Sequence, residues 1–264
     1  MSFPVIVYGK YGDEKKAQST AIGSLPIGAR LILPDHREYV LAKASTATAI
    51  SAGFLCCGSV ITATGTSLGI GIALAATQAV GDTTLVVTLA AGTAVIANQF
   101  QGGYMVIASS AAASGGGQTY KVFSNNSAAA ASTVTVTLEP NDPLLTALPG
   151  GTSLISLIEN PFWNAVVTPA STVFPGAVIG VPQVNLSAGF YGWFQRAGIG
   201  AGIVTGTVTV VGDPVTASST LAGNLQPIPA GSALIWSGRN MNLGQAMVVP
   251  SATAGFASIN YNLA

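Results

Sequence analysis

Residues 132–138, Ser-Thr-Val-Thr-Val-Thr-Leu, alternate strictly, with Val134, Val136 and Leu138 on one side and Thr133, Thr135 and Thr137 on the other. A period of two carried by β-branched residues is the pattern of a half-buried strand, because a helix would scatter the same apolar side chains around its axis. Residues 83–89 (TTLVVTL) and 204–211 (VTGTVTVV) nearly repeat it. Shorter runs of the same kind lie at 104–108, 118–123, 153–158, 165–168, 177–181, 190–194, 233–236 and 246–249. Gly115-Gly116-Gly117, Asn125-Asn126, Pro149-Gly150-Gly151 and Gly212-Asp213-Pro214 punctuate them. Many short strands broken by frequent turn signals predict an all-β chain built of short-stranded β-sandwich or barrel domains. The VTL phrases at 87–89 and 136–138 are too short to establish an internal repeat.

Helix is expected only in short pieces. Asp142 as N-cap and Pro143 at the first helical position suggest one turn through Leu148, ended by Pro149-Gly150. Asp13 can cap a short helix over 15–21. Residues 68–80 are a third candidate, against which Gly69 and Gly71 weigh.

Charge divides the chain. Lys10, Asp13, Glu14, Lys15, Lys16, Arg30, Asp35, Arg37, Glu38 and Lys43 crowd the start, and only eight charged residues follow them. Residues 1–45 therefore read as an extended, charged N-terminal arm. Within it, 29–34 (ARLILP) and 38–44 (EYVLAKA) flank Asp35-His36-Arg37, the pattern of a hairpin with a short turn. Asn160-Pro161 closes the run SLISLIEN and opens a new strand series, so the rest divides into β domains at 46–160 and 161–264.

The scarcity of charge limits what surrounds the protein. Charged residues make up 7% of the chain, against about 25% in an ordinary soluble domain. Hydrophobic residues make up 49%, and the mean hydropathy is +0.56. A compact monomer of this mass exposes roughly 10,000 Å², or about one charge per 600 Å². A surface that sparse is expected to be covered by lipid or by protein. The longest apolar run, 68–80, falls short of the ~20 residues of a spanning helix. The start, MSFPVIVYGKYGDEKK, puts its charge after its apolar residues, the reverse of a secretory signal. The expectation is a protein made in the cytoplasm, covered by protein partners, with no membrane contact. Zero net charge and nine basic residues argue against a nucleic-acid partner.

Chemistry-bearing motifs are few. His36, the single histidine, sits between Asp35 and Arg37 in a turn, whereas a nucleophilic triad needs it held in a pocket. Cys56 and Cys57 are adjacent, a spacing that rarely reaches disulfide geometry, and they read as two small buried side chains. One histidine and a cysteine pair provide no zinc spacing. Glu139, Asp142 and Glu159 could form a glycosidase-like pair, but Glu139-Pro140-Asn141-Asp142 reads as strand end, turn and cap. Asp82 and Asp213 each follow a glycine beside a strand, as turn residues do. Residues 65–71 (GTSLGIG) lack the Lys-Ser/Thr ending of a phosphate loop. Phe190, Tyr191, Trp193 and Phe194 form the densest aromatic stretch, read as part core and part contact, with a sugar or base platform as the rival reading. Asn125 and Asn185 head formal glycosylation sequons, which matter only in a secretory host. No catalytic residue, metal or cofactor is expected.

Several phrases together resemble the head decoration, or cement, proteins of tailed bacteriophages. Gly28-Ala29-Arg30-Leu31 followed by Asp35-His36-Arg37-Glu38-Tyr39-Val40-Leu41-Ala42-Lys43-Ala44 is similar to an N-terminal hairpin in those families, with His36 where glycine is usual. Ala52-Gly53-Phe54-Leu55 matches a phrase that follows it there. Ala97-Asn98-Gln99-Phe100 with Gly102-Gly103-Tyr104 and 117–122 (GQTYKV) makes a third block. Residues 188–195 (AGFYGWFQ) ahead of Gly212-Asp213-Pro214-Val215 make a fourth. The resemblance implies a virion protein that docks on an assembled head, often as a trimer, and braces its major capsid protein. On that reading Arg30, Asp35, Arg37, Glu38 and Tyr39 are shell-contact candidates, with the arm latching by strand addition. Phe190, Tyr191, Trp193 and Phe194 are candidates for contacts between copies. A tail or host-adhesion protein is the runner-up, and a glycan depolymerase the third possibility.

Overall fold

The alternating runs pair as strands in the computed structural model, which describes residues 5–22, 25–58, 71–89, 94–108, 115–170, 176–206, 210–228, 242–248 and 254–263. In chain order the first strands are β1 (Ile6–Tyr8), β2 (Ala17–Gln18), β3 (Arg30–Ile32), β4 (Glu38–Lys43) and β5 (Cys56–Gly58). Then come β6 (Ile72–Ala73), β7 (Thr84–Thr88), β8 (Tyr104–Ile107), β9 (Thr119–Asn125), β10 (Thr133–Leu138) and β11 (Leu154–Ile158). The last are β12 (Ala165–Val167), β13 (Val178–Pro182), β14 (Tyr191–Thr205), β15 (Pro214–Ala217), β16 (Leu225–Pro227), β17 (Gly244–Ala246) and β18 (Ala254–Asn262). The protein is all-β, with one 3₁₀ turn, at Asp13–Lys15, among the described residues. Among the described residues no helix is long and apolar enough to cross a membrane. The strands belong to two compact units, residues 1–60 with 161–264 and residues 61–160.

The 61–160 unit is a closed antiparallel ring. Its strands bond in the order β6-β11-β8-β9-β10-β7, and a Leu74–Val87 bridge joins the end of β6 back to β7. Alternation then fills the interior. Leu85 and Val87, Met105 and Ile107, Tyr120 and Val122, Val134 and Val136, and Ile155 and Leu157 all lie in one buried cluster. Closure leaves no long edge free to recruit other strands. A register shift between Thr137 and Leu138 changes the phase of β9, so that Asn125 rather than Ser124 is buried. Its carboxamide is satisfied there, with Oδ1 accepting from Phe100 N–H at 2.9 Å and Nδ2 donating to Ile96 O at 2.9 Å.

The other unit contains two rings that share β14. Along its first half β14 pairs with β4 and with β13, β13 with β5, and β5 with β12. An Ala44–Ala165 bridge closes this ring between the end of β4 and the start of β12. Val40, Ala42, Cys56, Ala165, Ile179 and Phe194 belong to its core. Along its second half β14 pairs with β18, and the path β18-β17-β15-β16 returns to β14 at Val204–Leu225. That ring encloses Val204, Val215, Leu225, Ala246, Ile259 and Tyr261. Between its halves β14 carries a bulge at Gln195–Ala197 and Gly198 at φ +83°, a conformation that glycine adopts without steric cost. At Gly202 a Cβ would lie 2.3 Å from the Tyr261 hydroxyl, so glycine is what lets that ring fit around its tyrosine.

Several expectations need correction. Residues 1–45 are not a separate arm: β3 and β4 form the expected hairpin, but β4 runs along β14 and supplies core residues. Lys10, Lys15, Lys16, Arg30 and Asp35 are exposed, but Glu14 is buried, as are the apolar Leu31, Leu33, Val40, Leu41 and Ala42. The first division between units accordingly falls after residue 60, not 45. No helix follows Asp13, because Ala17–Gln18 is drawn out as β2 by pairing with β14. Residues 142–148 are not helical either, since Leu148 bridges Gln78. The described part of 68–80 contains β6 instead of a helix. β14 ends at Thr205 and β17 at Ala246. Residues 207–209, 233–236 and 249, also read as strand, lie outside the described residues.

The 61–160 unit is an insertion in a hairpin. β5 and β12 are antiparallel partners with Gly58 opposite Ala165, and the chain between them makes the other ring.

Candidate functional site

The β3–β4 turn is built from its own sequence. Pro34 fixes the second position, His36 N–H donates to Leu33 O at 3.0 Å, and Leu33 N–H donates to Arg37 O at 3.0 Å. His36 takes φ +63°, the left-handed conformation a glycine would supply at this place in a three-residue hairpin loop. The turn therefore forms without its usual residue.

Arg37 ties the turn to the segment before it. Its Nε donates to Asp35 Oδ2 at 2.7 Å, its Nη1 donates to Tyr39 Oη at 3.0 Å, and its Nη2 lies 3.9 Å from Glu14 Oε1. The guanidinium also stands 5.9 Å from the Tyr11 ring centre. The Glu14 side chain is buried, and its Oε2 accepts the Gly12 N–H at 2.6 Å. Burial opposes the charge on Asp35, but the hydrogen bonds and charge of Arg37 outweigh it and hold the carboxyl below its ordinary pKa. Burial pushes Tyr39 up to about 12.

The shell-contact candidates thus separate. Arg30 and Glu38 form a solvent-exposed cross-strand ion pair, and Asp35 is exposed at the tip. Arg37 is engaged internally. Tyr39 is only 1% exposed, because the face of β4 opposite its ring core is covered by Leu31, Leu33 and Trp193, so it reaches no partner. The same holds for two of the aromatic candidates. Trp193 and Phe194 point to opposite faces of β14, each into a core, and are 3% and 0% exposed. Phe190 and Tyr191 remain half-buried.

Two residues the sequence reading did not single out complete the Tyr191 surface. The Lys43 ammonium lies 4.3 Å from the Trp163 ring centre and 5.4 Å from that of Tyr191. Lys43 and Tyr191 face each other across the β4–β14 ladder, a pairing visible only once the register is known.

The least blunted surface is the β1 edge. Val5 O accepts from Arg30 N–H at 2.7 Å, and Gly9 N–H donates to Ile32 O at 3.0 Å. The alternation of a parallel strand then turns the N–H and C=O groups of Ile6 and Tyr8 away from β3. Val5, Ile6, Tyr8 and Tyr11 expose apolar side chains there, Tyr8 by 81%. Ile199 on β14 and Phe256 on β18 are exposed apolar residues elsewhere in this unit. Such residues are the raw material of protein contacts.

Cys56 and Cys57 are free, buried thiols, and burial raises both, Cys57 to about 11. Asp142 Oδ2 accepts the Lys121 N–H at 2.8 Å, and its own N–H donates to Glu139 O at 2.9 Å. Glu159 accepts from Gln99 Nε2 at 2.7 Å. Asp82 and Asp213 each accept a backbone N–H three residues back. Asn125 is buried, which closes its sequon. Among the described residues no three His, Cys, Asp or Glu side chains gather as metal ligands. Of the glycine-rich stretch 65–71 only Gly71 lies within the described residues.

Compared with known protein families, curated proteins and solved structures, the chain matches none of them.

Proposed function

We propose that this chain is a non-enzymatic structural protein of a tailed-phage virion, a decoration protein that binds the assembled head and stabilises it. The observation that carries the reading is a surface of 12,576 Å² served by nine basic and nine acidic side chains. Several of those are turned inward, as Glu14 and Arg37 are. A surface of that kind is suited to being covered by protein. The resemblance of the sequence blocks to those of head decoration proteins suggests the major capsid protein as the partner and self-association as a trimer. Neither nucleic acid nor membrane is a partner in this proposal. The protein is made in the host cytoplasm and resides on the phage head. The β1 edge, with Ile6 and Tyr8 presenting free backbone groups, is the place where a shell strand would add.

The test is the copy number of the protein in purified particles, with heads and tails fractionated. A copy number comparable to that of the main shell protein, in the head fraction, supports the proposal. Changing Ile6 to Lys and Tyr8 to Glu together is then expected to lower occupancy on heads. A few copies confined to the tail fraction would overturn it in favour of host adhesion. The half-exposed Tyr191 and Trp163 rings, the kind of surface on which sugars stack, favour that second reading.

A further inference from the structure

A cleft of about 550 Å³ opens beside the β3–β4 hairpin where β14 bulges, within the size range of small-ligand sites. Arg30, Glu38 and Arg196 supply its charged lining, and Val40, Phe162 and Leu263 its apolar lining. The apolar part is continuous with the core of the ring that contains β4, since Val40 belongs to that core and Phe162 packs against it. The charges do not balance. Arg30 is paired with Glu38, which leaves Arg196 as the surplus cation among the described residues. Arg196 donates through both Nε and Nη2 to a single neutral acceptor, Leu263 O, the Nε bond being 3.0 Å. Burial and the neighbouring Arg30 both oppose its charge, and only Glu38 favours it.

We propose that this cleft is a binding site for an organic carboxylate bearing a small apolar group. With its Nε/Nη2 edge held by Leu263 O, the planar guanidinium of Arg196 has its Nη1/Nη2 edge to donate to a carboxylate in a fork, and Arg30 can share its charge between Glu38 and the ligand. Val40 and Phe162 take the apolar substituent. One surplus positive charge matches one carboxylate, whereas a phosphate dianion would face Glu38 with its second charge unanswered. The carboxylate can come from an acidic side chain of a partner protein or from a free acid. The site does not depend on the virion reading, because its chemistry is complete within this chain.

The test is a titration of the full-length protein, reading the Nε–H resonances of Arg30 and Arg196 by NMR. The probes are 3-methylbutanoate, its neutral amide, inorganic phosphate and the capped peptide acetyl-Val-Glu-Val-amide. Saturable shifts are expected with the free acid or the peptide at about 1 mM. The amide and phosphate should bind at least roughly tenfold more weakly. Tighter binding of the peptide assigns the site to a protein partner, and tighter binding of 3-methylbutanoate to a free acid. Arg30→Gln, at an exposed position, should weaken the carboxylate probes several-fold. Glu38→Gln should strengthen them, a gain that a purely structural ion pair would not give. Equal shifts with acid and amide, phosphate binding as tight as carboxylate, or no saturable shift with any probe would each overturn the assignment.

Discussion

Replacing residues 61–160 with a four-residue turn between β5 and β12 is expected to leave the two-ring unit folded. Gly58 and Ala165 are already antiparallel partners, so a short loop spans the gap. The three buried clusters of that unit draw no residue from the insertion. Loop closure sets the magnitude. Between those partners a disordered connection of about 106 residues is harder to close than one of about ten by (3/2)RT ln 10.6, about 2 kcal/mol. A folded insertion holds its own ends and spares the host unit that penalty. The shortened chain and the intact chain should therefore have two-ring stabilities within about 1 kcal/mol of each other. A full-length chain carrying Val136→Asp, which buries a charge in the inserted core, should lose about 2 kcal/mol from the two-ring unit as well. Tryptophan fluorescence in a urea titration isolates the effect, because residues 61–160 contain no tryptophan. The reasoning fails if the shortened chain shows no cooperative transition. It fails equally if Val136→Asp unfolds the insertion and leaves the fluorescence midpoint unmoved.

Four further outcomes are expected. His36→Gly should stabilise the protein by about 0.5–1 kcal/mol, seen as a higher urea midpoint, because glycine removes the strain of φ +63°. Arg37→Ala should destabilise by about 2 kcal/mol, discounted from the fully buried case for partial exposure, by leaving Glu14 without its cation; adding Glu14→Gln should recover part of the loss in a double-mutant cycle. In alkali, the folded state keeps the Tyr39 proton to about pH 12 while an unfolded tyrosine loses it near ~10. That stability is complete below about pH 10 and is lost as pH rises toward 12; burial raises Tyr261 in the same direction, so both phenols should ionise at 295 nm only as the circular dichroism of the fold disappears. In acid the sign reverses: Asp35 has a lowered folded pKa, so its contribution is present above about pH 4 and is lost as pH falls through the folded value, an effect that Asp35→Asn should remove from the acid limb of the stability curve.

The candidate surfaces were less legible in sequence than the strands. Exposure is a property of both faces of a strand, and alternation marks only one. The resemblance points to Tyr39 and the aromatic run to Trp193, but each lies on a strand covered on both sides, so their contact surface is used within the chain. Lys43 and Trp163 carried no local signal, since 120 residues separate them and only the fold brings ammonium to ring. The open edge at β1 was equally hidden, because an edge is defined by the absence of a neighbouring strand, which no local pattern encodes.

Local physics determined the elements. Period-two alternation places Val134 and Val136 inward whatever the topology, and Pro34 with a left-handed residue two positions later makes the β3–β4 turn even with histidine there. Tertiary structure decided the rest. The stretch Ala197-Gly198-Ile199-Gly200-Ala201-Gly202-Ile203 has weak strand propensity, yet it forms the longest strand because β18 pairs along it and Tyr261 needs the space its glycines leave. Asp13 can start a helix, but Ala17 and Gln18 gain ladder bonds to β14 instead. Strand phase is written in neighbouring residues. Ring closure, the sharing of β14 and the insertion at Gly58 rest on pairings between residues far apart in sequence, whose closure entropy only the completed core offsets.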